Sequence, residues 1–181
     1  MRALVMQINE SLETNIALVY KSVFLGETAT ILKEMGIEVE VCDATIEGYS
    51  LNDLILKFCT YPELIILVVD VQQSRIAKRV ADYCKLCSSK SKILIIGRAT
   101  AFLPQYFTRS PFDAVHIKGD REAAIISYVK YLKGEIKKED ITNLALVMDT
   151  EIYYSKKIEW LDPKHWSTPI FHAFLSRHIK N

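Results

Sequence analysis

The chain has 181 residues, of which half are hydrophobic and a quarter are charged. This length suits one domain, or one domain with a tail, and the composition excludes a chain that is disordered throughout, because disorder needs few apolar residues and a large net charge. The 23 basic and 22 acidic residues leave a net charge of +1, so we expect no general attraction for nucleic acid or for an anionic membrane.

Short β-type runs alternate with helical patterns along the first 134 residues. Strands are predicted at residues 3–8, 37–42, 64–69, 92–96 and 114–117. Helices are predicted at residues 16–35, 51–58, 75–88, 104–107 and 123–132, and Gly36 and Gly134 supply stop signals. Ser50 or Asn52 is expected to cap the second of these helices.

The apolar pattern of the strands indicates how they are arranged. Residues 64–69 are apolar throughout, which is typical of a strand that is buried on both faces. Residues 37–42 alternate apolar with acidic positions, which favours the edge of a sheet. We therefore predict an α/β fold with a flavodoxin-like (Rossmann-like), doubly wound sheet of five parallel strands in the order 2-1-3-4-5.

Residues 135–181 differ from this pattern and are predicted to form a small C-terminal extension beside an α/β domain of residues 1–134. The extension is expected to contain a β-hairpin, an aromatic and proline-containing linker and a terminal helix, at residues 144–154, 160–169 and 170–181.

Neither a membrane span nor a secretory signal is predicted. The apolar runs are far shorter than the roughly 18 to 20 residues that a membrane helix needs. The amino-terminal residues lack the long apolar region of a secretory signal, so we expect a cytoplasmic protein. Four cysteines in a chain of this length are no disulfide framework, and we expect reduced, mostly buried thiols.

A topological rule nominates a ligand site. In an open α/β sheet, ligands bind beyond the carboxyl ends of the strands, near the point where the strand order reverses. The candidate cofactor-binding residues in the loops after strands one, three, four and five are Asn9, Glu10 and Ser11; Asp70, Gln72 and Gln73; Gly97, Arg98, Ala99 and Thr100; and Lys118, Gly119 and Glu122. For Asp70, capping of the next helix is an equally good interpretation. No catalytic residue is predicted, because no nucleophile lies beside a base.

Several ligands are disfavoured by these loops. The loop after the first strand has no glycine, which argues against a dinucleotide, and no Gly-Lys-Ser/Thr loop for a nucleoside triphosphate is present. A phospho-accepting receiver domain is an alternative, because Asp70, Thr100 and Lys118 lie in suitable loops. The acidic pair that would hold Mg²⁺ in such a domain is missing.

The second half of the predicted α/β unit resembles the cobalamin (B12)-binding domain found in front of many radical SAM enzymes. Residues 96–104, Ile-Gly-Arg-Ala-Thr-Ala-Phe-Leu-Pro, are similar to the family's glycine pair, small residues and proline after strand four. Residues 112–113 (Phe-Asp) and 119–122 (Gly-Asp-Arg-Glu) are similar to its aromatic-Asp and Gly-Glu-Gly-Glu motifs. Gly134, the hairpin and the linker follow in the family's order, so the likeness covers about residues 1–170.

The sequence also departs from that family. Ile96 replaces one glycine of the pair after strand four, and Asp120 and Arg121 replace Glu and Gly of the second motif. The Asp-x-His-x-x-Gly signature, by which some cobalamin domains supply a histidine to cobalt, is absent here, as it is in many radical SAM relatives.

The resemblance implies a corrinoid ligand, cobalamin held base-off without a histidine. It implies that Gln72 or Gln73 lies nearest the cobalt, that Gly97 lets the nucleotide tail approach the backbone, and that Glu122 caps the last helix or contacts the corrin amides. The Cys-x-x-x-Cys-x-x-Cys run of a radical SAM core is absent, so no iron–sulfur cluster is expected in this chain. The implied partner is a radical SAM domain or subunit in trans, with this chain as a split subunit, a fragment or a free-standing relative.

A different class of function stays open. A degenerate α/β domain would bind a protein partner through its aromatic tail, residues 160–174, and exposed apolar surface there would support this interpretation. Cys84 and Cys87 are interpreted as packed residues on a helix, since a pair falls short of the four ligands of a structural zinc site. His116 is interpreted as a strand-face histidine and not as a ligand.

Overall fold

One sheet of seven strands organises the part of the chain that the computed structural model describes, which is residues 1–8, 23–109, 111–149 and 151–162, without the side chains of Thr45 and Leu51. The order across the sheet is β2-β1-β3-β4-β5-β6-β7. The strands are β1 (Arg2–Gln7), β2 (Glu38–Asp43), β3 (Leu64–Val68), β4 (Lys92–Ile96), β5 (Ala114–His116), β6 (Leu144–Val147) and β7 (Ile152–Tyr154).

The first five strands run parallel in the predicted order, 2-1-3-4-5. All five residues of β3 are buried, as the apolar run predicts, and β2 lies at the edge with its first four residues exposed or partly buried. Glu38 and Glu40 of β2 can therefore reach water, which a central strand would not allow. The prediction of a doubly wound α/β sheet is confirmed for these strands.

The predicted count of five strands is wrong, because the hairpin continues the same sheet. β6 pairs antiparallel with β5, placing Ala114 opposite Leu146 and His116 opposite Leu144, and β7 pairs antiparallel with β6. Without β6, one side of β5 would expose unpaired N–H and C=O groups at the sheet edge. Leu144 and Leu146 are also buried, which adds apolar stabilisation to the pairing. The division of the chain after residue 134 stays a prediction.

Helices cover both faces of the sheet. The helices are α1 (Val23–Glu34), α2 (Ala44–Glu47), α3 (Leu51–Phe58), α4 (Ser74–Cys87), α5 (Arg98–Phe102), α6 (Pro104–Phe107) and α7 (Arg121–Leu132). α1 and α7 pack on the face that carries Val5 and Ile66, and α3 and α4 pack on the face that carries Leu67 and Ile95. The bounds of α3 and α6 agree with prediction, whereas α2 and α5 are too short to show a helical period in the sequence.

Ser50, and not Asn52, caps α3. The Asp53 amide donates to the Ser50 hydroxyl oxygen at 3.4 Å, and the Ser50 amide donates to the Asp53 carboxylate at 2.8 Å. This reciprocal pair satisfies two amides at the helix start, and it lowers the pKa of Asp53 because the Ser50 donors favour the carboxylate.

Several predicted segments lie wholly or partly outside the described residues. They are residues 16–22 of the first helix, residues 163–174 of the linker and aromatic tail, and the terminal helix at 170–181. In the described ranges, no helix is long and apolar enough to cross a membrane.

Candidate functional site

The loop after β3 is a single helical turn that Asp70 caps. The Asp70 carboxylate accepts a hydrogen bond from the Val71 amide at 2.8 Å, and the Gln73 side-chain oxygen accepts one from the Asp70 amide at 3.0 Å. Gln73 is buried in this role, whereas Gln72 is exposed. The capping interpretation of Asp70 is therefore correct, and Gln72 is the glutamine that the loop presents to solvent.

The loop after β4 begins at Gly97, whose backbone conformation few other residues adopt. Its φ is +129° and its ψ is −171°. A Cβ atom added to Gly97 would lie 2.2 Å from the Val69 carbonyl oxygen. The packing of the chain against itself therefore requires glycine here, whereas the resemblance implied a glycine that makes room for a cofactor.

An ion pair joins these two loops. The Arg98 guanidinium contacts the Asp70 carboxylate, and both side chains reach solvent. Ala99 and Thr100 lie beneath them, buried, and the Thr100 hydroxyl donates to the Gly97 carbonyl oxygen at 2.9 Å. The loops of residues 70–73 and 97–100 therefore lie side by side, and we call them together the β3–β4 edge. Its residues that reach solvent are Asp70, Val71, Gln72 and Arg98.

Exposed apolar side chains border the β3–β4 edge. Val71, Phe102 and Leu103 expose 49%, 73% and 56% of their surfaces. Val71 belongs to the turn after β3, and the other two residues lie at the end of α5, which packs beside that turn. The sequence gives no signal for them, because isolated apolar residues in short segments have no period that separates exposed from buried positions.

The loop after β5 packs against the Asn143 side chain. Gly119 has a φ of +72°, and a Cβ atom there would lie 2.6 Å from the Asn143 amide group. The Asn143 side chain donates to the carbonyl oxygens of Asp120 and Glu159 at 3.0 and 2.8 Å, and it accepts from the Glu159 amide at 2.7 Å. Lys118 is exposed beside it. Asn143, which the sequence did not single out, thus anchors this loop to the segment after β7.

Charged residues at the start of α7 tie it to α1. The Arg121 guanidinium lies 2.9 Å from the Glu27 carboxylate and 3.6 Å from the centre of the Phe24 ring. Burial raises the pKa of the Glu27 carboxyl, and the positive charge of Arg121 opposes that rise. Glu122, the next residue, is buried. These contacts give Arg121 a structural role at a position where the cobalamin-binding domains that the sequence resembles have glycine.

Gln7 ends β1, and the candidate residues of the loop that follows, Asn9, Glu10 and Ser11, lie outside the described residues. Gln7, at the end of β1, carries a buried side-chain oxygen that has no hydrogen-bond partner in the described ranges. Gln7 pairs with Val68 of β3, so this buried oxygen lies at the same end of the sheet as the β3–β4 edge.

His116, at the end of β5, is a buried histidine. Its Nε2 lies 3.1 Å from the Gly119 carbonyl oxygen, and its Nδ1 has no partner among the residues that the structure describes. Burial lowers the pKa of the imidazole, because the charged form would lose its hydration. This placement agrees with the interpretation of His116 as a strand-face histidine.

We expect His116 to make the protein less stable in mild acid. Below about pH 6.5 the unfolded chain binds a proton that the buried imidazole takes up less readily, so stability falls as the pH falls. Between about pH 7.5 and 5.5 this loss should reach up to about 1 kcal/mol, and His116→Gln should not show it. Urea unfolding of both proteins at both pH values measures the difference. An identical pH dependence in the two proteins would contradict the assignment.

Metal ligands are not clustered in the described part of the chain. No group of three or more His, Cys, Asp or Glu residues is arranged there to hold a metal ion. Cys84 is fully buried on α4, which agrees with its interpretation as a packed residue.

A cavity of about 740 Å³ lies at the opposite end of the sheet, near the amino ends of the strands. Its lining includes Met1, residues 61–63, residues 88–92 and Leu132. It is therefore separate from the β3–β4 edge.

Known proteins share the fold of this chain. No protein-family model matches it, and no curated protein matches its sequence. OxsB, a cobalamin-dependent S-adenosylmethionine radical enzyme solved with aqua-cobalamin bound, is similar over 88% of this chain, with 22% identity and a TM-score of 0.73. TsrM, a radical S-adenosylmethionine methyltransferase from Kitasatospora setae solved with cobalamin and a 4Fe–4S cluster, is similar over 93%, with 16% identity and a TM-score of 0.72.

The present chain spans 22% of the OxsB chain and 31% of the TsrM chain. At these identities the likeness shows the fold. Both structural neighbours are radical SAM enzymes solved with cobalamin bound, so the resemblance predicted from the sequence motifs is confirmed at the level of the fold.

Proposed function

We propose that this chain is a cobalamin-binding module that presents a corrinoid to a radical SAM domain or subunit. The shared fold carries the proposal, because two solved structures that resemble this chain over most of its length hold cobalamin. In open α/β sheets, ligands bind beyond the carboxyl ends of the strands, which is where the β3–β4 edge lies.

The residues at this end of the sheet fit a corrinoid. A corrin is a broad macrocycle with apolar faces and amide side chains, and ligand sites match such groups with apolar surface and a few polar atoms. Val71 and Phe102 offer exposed apolar side chains, and Gln72 offers an exposed amide. Base-off binding without a histidine ligand is part of the proposal.

The protein residues bind and orient the cofactor in this proposal. When bound, cobalamin supplies methyl-transfer or radical chemistry, which belongs to the cofactor itself. The Asp70–Arg98 ion pair holds the two loops together, and Gln72, the exposed glutamine of the loop after β3, would lie nearest the cobalt. Lys118 would contact the periphery of the ligand from the loop after β5, and Glu122 is buried at the start of α7.

The partner is inferred from length and composition. The chain spans 22% and 31% of the two enzymes, and its sequence has no Cys-x-x-x-Cys-x-x-Cys run. A radical SAM domain would therefore be supplied in trans or elsewhere in a longer protein.

A visible spectrum tests the proposal. The purified protein is mixed with hydroxocobalamin, desalted, and compared with a protein of unrelated fold. We expect corrin absorbance near one equivalent, with band positions that report whether the nucleotide base is off. A protein that is folded by circular dichroism but colourless would overturn the proposal.

A charge at the β3–β4 edge should weaken corrinoid binding. Val71→Glu places a carboxylate against the apolar face of the ligand, and we expect at least about tenfold weaker retention, since the ligand would desolvate that charge. The matched control is Leu86→Glu, which makes a similar change at a residue that is 81% exposed on α4. Both variants should keep the stability of the parent. Equal retention by the two variants would place the ligand elsewhere.

A second function is favoured by a different surface. Ile152, Tyr154, Ile158 and Trp160 expose 37%, 44%, 51% and 71% of their surfaces along β7 and the segment after it. Exposed apolar groups of this kind mark protein-binding surfaces. A folded protein that retains no corrinoid would leave partner binding through this surface as the leading function. The receiver alternative gains no such support, because the Thr100 hydroxyl is buried against Gly97 and not presented to Asp70.

A further inference from the structure

The four cysteines fall into two classes. Cys42 and Cys84 are buried in the core, whereas Cys59 is exposed and Cys87 is partly exposed. Burial raises the pKa of the Cys84 thiol to about 12 and raises that of Cys42 even further. Because the thiolate is the reactive form and a reagent must also reach it, these two buried thiols are inert, and the thiols that a reagent in solution can reach are those of Cys59 and Cys87.

The fold brings Cys59 and Cys87 together. Cys59 is the residue that ends α3, Cys87 is the last residue of α4, and these two helices pack side by side on one face of the sheet. Both residues lie just before strands, β3 and β4, so they share the amino end of the sheet. Cys59 lies near enough to Cys87 for its thiol to raise the pKa of the Cys87 thiol, in addition to the effect of burial.

We propose that Cys59 and Cys87 form a dithiol site that a low-molecular-weight disulfide oxidises to an intramolecular disulfide. The exposed Cys59 thiolate attacks one sulfur of the small disulfide, which breaks its S–S bond, releases one thiol and forms a mixed disulfide. The Cys87 thiolate then attacks the Cys59 sulfur, forms the Cys59–Cys87 bond and releases the second thiol. Two cysteines are oxidised, the small disulfide is reduced to two thiols, and the two protons of the cysteines pass to those products.

The bond would join the ends of α3 and α4. The loop that it closes runs from residue 59 to residue 87 and contains β3 and the Asp70 turn. Closing a loop of this length restricts the unfolded chain, so the oxidised protein should be more stable. The crosslink lies at the opposite end of the strands from the β3–β4 edge, so its formation does not depend on the cofactor.

Peptide mapping tests the pairing directly. The reduced full-length protein is incubated under native conditions with oxidised glutathione, the remaining thiols are alkylated, and the protein is digested with trypsin without reduction. Trypsin cleaves after Arg79 and Lys85, which separates Cys84 (peptide 80–85) from Cys87 (peptide 86–90). We expect peptide 86–90 to be linked to peptide 58–75, which carries Cys59. A link between peptides 80–85 and 86–90, or separate glutathione adducts on Cys59 and Cys87, would overturn the proposal.

Thermal unfolding supplies a second readout. Oxidation should raise the melting temperature of the parent by roughly 5 to 10 °C and leave Cys59→Ser and Cys87→Ser unchanged. The two serine variants replace solvent-reaching residues, so their reduced forms should melt close to the reduced parent. An oxidised parent that melts at the temperature of its reduced form would also contradict the crosslink.

Discussion

Replacing Gly97 with alanine is expected to lower the free energy of unfolding by roughly 3 to 5 kcal/mol. The φ of +129° and ψ of −171° at Gly97 define a backbone region that glycine alone occupies without strain. The added Cβ would also lie 2.2 Å from the Val69 carbonyl oxygen. Val69 is held in place because its amide donates to the Ile96 carbonyl oxygen at 2.9 Å, so the backbone has little freedom to move aside.

Gly134→Ala is the matched control for this prediction. Gly134 has a φ of +75°, and no atom lies within 4 Å of an added Cβ. The free energy of unfolding of this variant should therefore fall only by the strain of the left-handed conformation, about 1 to 2 kcal/mol. Urea unfolding followed by circular dichroism compares the two variants with the parent. Equal losses would show that the approach to Val69 carries no cost, against the prediction.

The large loss of stability expected for Gly97 variants makes them unsuitable for testing cofactor binding. A Gly97 variant that failed to retain a corrinoid would report a disturbed backbone and not a lost ligand contact. The exposed Val71 belongs to the same edge of the sheet and has no such backbone constraint, so its substitution separates binding from folding.

Asn143→Ala is expected to cost roughly 3 kcal/mol. The Asn143 side chain is fully buried and makes three hydrogen bonds, with Asp120 and with both backbone groups of Glu159. Alanine would leave these backbone groups without their partner. It would also have to adopt the φ of +62° at this position, a left-handed conformation that asparagine tolerates better.

Asn143→Gly and hydrogen exchange separate the two contributions. Glycine removes the hydrogen bonds but adopts the positive φ without strain, so Asn143→Gly should be about 1 kcal/mol more stable than Asn143→Ala. In both variants the Glu159 amide should exchange faster, whereas amides in the centre of β3 should keep their protection. An unchanged exchange rate at Glu159 would show that Asn143 does not anchor the segment after β7.

Local patterns were sufficient to predict most of the α/β unit. The continuous apolar run of β3 and the alternating run of β2 follow from whether one or both faces of a strand are covered, so each pattern carries the position of its strand in the sheet. Strand bounds at β4 and helix bounds at α3 agree with prediction because charged or capping residues mark their ends. The five-residue α5 has no such signal, since it is little more than one turn long.

The candidate site was only partly predictable. A topological rule found the loops after β3 and β4, and the structure joins them through Arg98 and Asp70. The same rule does not reveal the direction of a side chain. Gln73 and Thr100, which were predicted to bind the cofactor, are buried in contacts with the backbone of their own loops, and Phe102, which no sequence pattern singles out, is exposed.

The sequence by itself determined the α/β class, the order of the parallel strands and the resemblance to a cobalamin-binding domain, because these follow from periodicities and motifs that lie within a few residues of one another. Only the tertiary structure decided that the hairpin of β6 and β7 extends the same sheet, that Val69 is the reason for Gly97, and that the ends of α3 and α4 bring Cys59 and Cys87 to the same end of the sheet. These features join residues that lie far apart along the chain, and their energies come from pairing and packing that no local pattern records.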